Sequence, residues 1–201
     1  QAWRSELDKA SPELRDDPAV MLVVNPLDGL RIASDRLRSS RDFISRAVKA
    51  DGRAIDHASP DLQRDADILR DALKTHGWAL LDFGNEELRR QKDAVLDAVK
   101  NCGHALACAS PELRSDEEVV RAAVRNNGYA LRYASEVFRN CKSVVLDAVC
   151  TFGKALKFAH VDLGGDNEVV LEAVQNDPEA LKFAAEALRS DRQIVGIALA
   201  G

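Results

Sequence analysis

The residues best equipped for chemistry in this 201-residue chain are few and scattered. His104 and Cys108 stand four apart, with Cys102 just ahead of them, a spacing that brings soft ligands to one helical face. A structural zinc site needs four ligands in recognisable pairs. The other cysteines, Cys141 and Cys150, form no CxxC pair, and His76 and His160 fall at unrelated positions. No glycine-rich phosphate loop, nucleophile elbow or HExxH motif occurs. Most carboxylates stand in what read as first turns of helices, where the helix dipole accounts for them. An active site needs titratable groups clustered in a pocket, and no such cluster is legible. The expectation is a chain with no catalytic residue, no metal and no cofactor, and not an enzyme.

What the remaining polar and aromatic residues do have is register. An alanine column runs Ala47, Ala72, Ala98, Ala123, Ala148, Ala173 and Ala198, at intervals of 25, 26, 25, 25, 25 and 25 residues. A glycine column, Gly52, Gly77, Gly103, Gly128 and Gly153, keeps the same step, with Pro178 in sixth place. Self-similarity at a fixed period of this size is the mark of a stacked repeat. The units begin near Asp16, Ser40, Asp65, Gln91, Asp116, Cys141, Asp166 and Asp191. They span 16–39, 40–64, 65–90, 91–115, 116–140, 141–165 and 166–190, with a partial unit at 1–15 and a truncated one at 191–201. The whole chain, 1–201, thus reads as one solenoid domain. The first full unit is one residue short around Asn25–Asp28, and the third is one residue long near Asn85–Glu87.

Each unit reads as two short helices. In the first, Val119, Val120, Ala123 and Val124 share one face of a 3.6-residue period, Asp116 stands at the N-cap and Glu117 and Glu118 suit the positive end of the dipole. Gly128 is placed to end it in the left-handed conformation that closes many helices. The second carries Ala130, Leu131 and Ala134, and a turn with Phe138 and Arg139 follows. Ser59-Pro60 and Ser110-Pro111 supply a cap and a proline suited to the first helical position. Helices this short are marginal alone, and one unit buries too little apolar surface to offset its chain entropy. Stacking is what makes them stable, and the fold class expected is all-α: an α-solenoid of about seven tandem helix–turn–helix repeats.

The pattern in Val144-Val145-Leu146-Asp147-Ala148-Val149 and Glu168-Val169-Val170-Leu171-Glu172-Ala173-Val174 resembles the domain-of-unknown-function family 4116. The resemblance covers essentially the whole chain and is strongest from Gln91 to Ser190. It implies a helical repeat architecture of the kind found in protists, algae and some bacteria, and brings no reaction with it.

Three columns bear on binding. The residue after each turn glycine varies freely: Arg53, Trp78, His104, Tyr129 and Lys154, with Glu179 after Pro178. Variable positions in register can line a recognition surface, and exposed aromatics are enriched among interface hot spots; the same column also reads as a tolerant first turn. A second column, Ile32, His57, Asp82, Cys108, Tyr133, Phe158 and Phe183, turns aromatic toward the C-terminus and reads as packing between layers, with a binding groove as the alternative. A third, Arg15, Arg38, Arg89, Arg114, Arg139 and Arg189, closes the units and is expected to meet the acidic start of the next one, with an acidic partner or phosphates as the alternative. The last helix, with Ile194, Val195, Ile197, Leu199 and Ala200, is apolar nearly all round, and Ile194 and Ile197 are candidate partner contacts.

Function follows by class. A net charge of −5 with both signs interspersed speaks against nucleic acid, and no apolar run is long enough to span a membrane. The expectation is a non-catalytic protein–protein interaction scaffold, an accessory or structural subunit of a larger assembly. The alternative is a substrate-recruiting repeat module of a larger enzyme or effector. The chain starts at Gln1, as a processed or partial chain would. Unpaired thiols suit a reducing compartment, cytoplasm or plastid stroma.

Overall fold

A computed structural model describes residues 10–23 and 26–200. The first nine residues of the expected partial unit, and Asn25 of the shortened turn, lie outside the described residues. Every element among those described is helical. The chain gathers into two compact units, Gln1–Leu88 and Arg89–Gly201. Within each, a repeat packs chiefly on its sequence neighbours, as in a solenoid.

The repeat that opens at Asp116 shows how the sequence produces the element order. The Asp116 carboxylate accepts the Val119 N–H at 3.1 Å and starts the helix Glu117–Asn126. Its buried stripe is Val119, Val120, Ala123 and Val124, each valine contributing about 1.5–3 kcal/mol of burial. The stripe packs on the corresponding helices of the neighbouring repeats, Lys92–Asn101 and Lys142–Thr151, and on the 3-10 helices Gly103–Cys108 and Gly128–Tyr133. A short helix, Glu136–Arg139, then leads to the next repeat. The same order recurs at Asn167–Asn176, Pro178–Phe183 and Glu186–Arg189. In the first unit it recurs at Arg41–Ala50, Gly52–His57 and Pro60–Gln63.

Two details depart from the sequence reading. The second helix of most repeats is a 3-10 helix, because the residue before it is extended and restarts the chain. Asn127 sits at φ −155°, ψ 112° and its side chain accepts the Tyr129 N–H at 3.0 Å. Asp51 and Asp177 do the same for Arg53 and Glu179. The turn glycines, moreover, are not left-handed: no described residue has positive φ. Glycine is required there by proximity. A Cβ on Gly103 would stand 2.6 Å from the Ala123 carbonyl oxygen of the next repeat. Gly128 and Gly153 meet Ala148 and Ala173 in the same way, as Gly52 meets Ala72 in the first unit. The glycine and alanine columns are therefore two sides of one inter-repeat contact.

Hydrogen bonds fasten that contact. Gly103 N–H donates to Asn126 Oδ1 at 2.7 Å, and Asn126 Nδ2 donates back to the Lys100 carbonyl at 2.8 Å. Asn176 repeats the clamp on Gly153 and Cys150 at 2.6 and 2.9 Å. In the first unit Thr75 Oγ1 accepts the Gly52 N–H at 3.0 Å.

Most of the arginine column does not meet the acids of the next repeat. No ion pair joins Arg89, Arg114, Arg139 or Arg189 to a carboxylate among the described residues, and Arg38 pairs with Asp35 of its own repeat at 2.6 Å. The main chain makes the rung instead: Ser135 N–H donates to the Arg114 carbonyl at 3.0 Å, and His160 N–H to that of Arg139 at 2.8 Å. Because this rung needs only a carbonyl, Gly164 serves equally well for Ala185 at 2.7 Å.

The acids are taken by a different set of cations, and these alternate. Repeats that open on Ser40, Gln91 and Cys141 have no side-chain cap and place Arg41, Lys92 and Lys142 at the first helical position. A cation there opposes the helix dipole. Each reaches the capping aspartate of the next repeat: Arg41 to Asp65 at 2.6 Å, Lys92 to Asp116 at 2.9 Å and Lys142 to Asp166 at 2.8 Å. Asp67, Glu118 and Glu168 complete the pairs at 3.0, 2.9 and 2.8 Å. The structural period is thus a pair of unlike repeats, one giving the cation and the next the anions.

Candidate functional site

The 3-10 geometry decides which side chains share the outer face. At three residues per turn, positions i and i+3 eclipse, so Tyr129 stands over Arg132, whose Nη1 donates to the tyrosine hydroxyl at 2.7 Å. Gly128, Ala130 and Leu131 turn inward and are buried; Tyr129 and Tyr133 are half-buried and Arg132 is exposed.

In the second unit these faces merge into an aromatic surface. His104 stacks on Tyr129 with centroids 5.1 Å apart and planes at 18°. Phe158 meets Tyr129 edge-on at 5.1 Å, and Tyr133 and Phe152 lie 6.1 Å from it. Each such pair adds about 0.5–1.5 kcal/mol beyond simple burial. Cations cover the rings: Lys157 Nζ lies 4.6 Å from the Phe158 centroid and 5.7 Å from that of Tyr129. The Arg132 guanidinium is 5.9 Å from both Tyr129 and Tyr133, and Lys182 Nζ is 5.2 Å from Phe183. Neither Arg132 nor Lys157 has a carboxylate partner among the described residues, whereas Lys182 is shared with Glu179 at 3.6 Å.

The sequence candidates distribute as follows. His104 and Tyr129 come together at the heart of this surface. Lys154 turns along the stack and pairs with Asp177 at 3.2 Å and Glu179 of the next repeat; those acids hold its ammonium above the usual lysine range. Arg53 and Trp78 lie in the first unit. Arg53 is exposed and forks onto Asp51 at 2.7 Å, and Trp78 is 49% exposed. At the C-terminal end, the helix Arg192–Ala200 packs on Asn167–Asn176 and Pro178–Phe183. Ile194 is 1% exposed and so faces the core, Ile197 is half-buried, and Leu199 is 82% exposed.

Sequence reasoning passed over the cations of this face. The fifth position counted from the turn glycine or proline reads Asp56, Leu81, Ala107, Arg132, Lys157 and Lys182. The change to a run of cations was visible, but its place beside the aromatic columns depends on the eclipsed geometry.

Other chemistry is sparse. All four thiols are free. Burial pushes the Cys102 thiol up, while a hydrogen bond from Ser143 leads the lowering at Cys141. No three or more His, Cys, Asp or Glu side chains gather as metal ligands among the described residues. Open depressions follow the ion-pair ladder, as at Lys142, Asp166 and Glu168. No helix among the described residues is long and apolar enough to cross a membrane.

Interlocked columns, backbone rungs and a 3-10 face repeated down the chain define a helical repeat protein of solenoid type. The chain belongs to the family described as a domain of unknown function, DUF4116, whose model matches residues 28–63, 40–89, 65–114, 91–139, 116–164 and 166–200. The internal matches overlap in steps of one repeat, and each spans two of the 25-residue repeats. No curated protein and no solved structure matches the chain.

Proposed function

We propose that this repeat domain is a non-catalytic scaffold that engages another protein, as an accessory or structural subunit of a larger assembly. The observation that carries the reading is the aromatic surface of the second unit. Packing that served the fold alone would not require Tyr129, Tyr133, Phe158 and Phe183 to be half-exposed, with the cations Arg132, Lys157 and Lys182 set over their rings. Tyrosine and arginine are enriched in interface hot spots, and a rigid stack presents them at little entropic cost. The titratable groups that line the open depressions of the ladder are engaged in caps and inter-repeat pairs, which supports a binding role over catalysis. Free thiols fit a reducing compartment such as the cytoplasm or the plastid stroma.

The test is the native mass of the protein in its own cells, with the accompanying chains identified. A defined assembly containing a second protein is expected. A chain that runs alone at every concentration would end the scaffold reading.

A further inference from the structure

We infer that the partner of the second unit is an acidic polypeptide segment, laid across the row Arg132, Lys157 and Lys182 with its carboxylates on the cations and its apolar side chains on Tyr133, Phe158 and Phe183. This rests on the scaffold reading and makes it specific.

Charge carries the first part of the argument. The cations of the ion-pair ladder are matched within the fold: Arg41, Lys92 and Lys142 each hold two carboxylates of the next repeat. Lys154, one turn before Lys157, is saturated by Asp177 and Glu179. Arg132 and Lys157 face only π-clouds and the Tyr129 hydroxyl, and both are exposed. A ring attracts a cation without neutralising it, so the pair keeps its full charge for an incoming anion. Glu179 draws on Lys182 through an exposed pair at 3.6 Å, a contact weak enough for a second carboxylate to replace.

Spacing carries the second part. The three cations occupy the same position of consecutive repeats, 25 residues apart, so they recur once per layer, at about the 8–10 Å that separates packed helices. A peptide extended in the polyproline form advances about 3.1 Å per residue and brings every third side chain to the same side, about 9 Å on. Carboxylates at every third residue would match the row, and the side chains between them would meet the aromatic column.

A polypeptide is favoured over a nucleic acid. Stacking platforms for bases occur in continuous positively charged grooves, whereas this face offers single cations spaced one per repeat. The face is also bounded by Glu179 and Asp177, which would repel a continuous polyphosphate but only select the register of spaced carboxylates.

The experiment uses the whole chain and fluorescence anisotropy. The probes are a labelled peptide with glutamate at every third position and proline or leucine between, its glutamine counterpart, and a labelled single-stranded oligouridylate of equal charge. Binding of the glutamate peptide is expected, falling with added salt and at least tenfold weaker for the glutamine peptide. A variant with Arg132→Gln, Lys157→Gln and Lys182→Gln should lose a similar factor, while Lys142→Gln, on the ion-pair ladder, should lose none. Equal binding of the two peptides, or tighter binding of the oligouridylate, overturns the inference, and the glutamine comparison does so without any variant. A native assembly that survives the triple substitution would sink the inference and leave the scaffold reading standing; absence of any assembly would sink the scaffold reading itself.

Discussion

Replacing Gly103 by alanine separates two accounts of the turn glycines by sign. If they were needed only for conformational freedom, alanine would be harmless here, since no described residue has positive φ. It would even stabilise by about 0.5–1 kcal/mol through lower unfolded-state entropy. The structure gives the opposite result. The new Cβ would lie 2.6 Å from the Ala123 carbonyl oxygen and 3.1 Å from Asn127 Cβ. Ordinary contact begins at 3.4 Å, so the repeats must part by about 0.8 Å. That opening stretches the 2.7 Å bond from Gly103 N–H to Asn126 beyond useful length. Overpacking costs about 1–3 kcal/mol and the weakened bond about 1 kcal/mol more. After the entropic gain, a net loss near about 2 kcal/mol remains, or about 4–8 °C in Tm for a chain of this size. Gly196 is the control: it lies inside the helix Arg192–Ala200 with nothing within 4 Å of the added atom. Gly196→Ala should raise Tm by about 2 °C. Thermal unfolding followed by far-ultraviolet circular dichroism measures both, and a Gly103→Ala protein as stable as the parent would refute the interlocked-column account.

Two further outcomes follow from the same contacts. Asn126→Ala removes both bonds of the clamp, leaving the buried Gly103 N–H without its acceptor; a loss of about 1–2 kcal/mol is expected, with faster hydrogen exchange at the Gly103 amide as its local signature. The Asp116 and Asp166 carboxyls are held below the usual aspartate range, chiefly by hydrogen bonds from Lys92 and Lys142. A depressed folded pKa contributes stability that is present above the unfolded value, near about 3.9, and is lost as the pH falls through the folded one. The parent should therefore lose stability below about pH 4, and the variant Lys92→Met with Lys142→Met should show a flatter acid limb in denaturant titrations.

The architecture was legible because the alanine and glycine columns are counted directly along the chain, and the valine stripe of Glu117–Asn126 has helical period on its own. What escaped were contacts made between repeats. That Gly128 meets the Ala148 carbonyl needs the layers to be stacked, since the two residues are far apart in sequence. The arginine column misled for a related reason: Arg114 and Arg139 are in register through their carbonyls, whose role leaves no trace in residue type. The alternation of Lys92 and Lys142 with Asp116 and Asp166 was written in the sequence, yet a search at single-repeat period averages it away. The aromatic surface was half visible. The columns that hold Tyr129 and Tyr133 stood out, but that Arg132 stands against Tyr129 depends on the 3-10 turn.

The most direct test of the central claim is a photo-crosslinking residue placed in the protein in its own cells. One version replaces Lys157, on the aromatic face; another replaces Glu168, on the ion-pair ladder. The account predicts a discrete adduct with a second protein from position 157 and none from position 168. Adducts of equal yield from both positions, or none from 157 while the protein migrates alone, would contradict it.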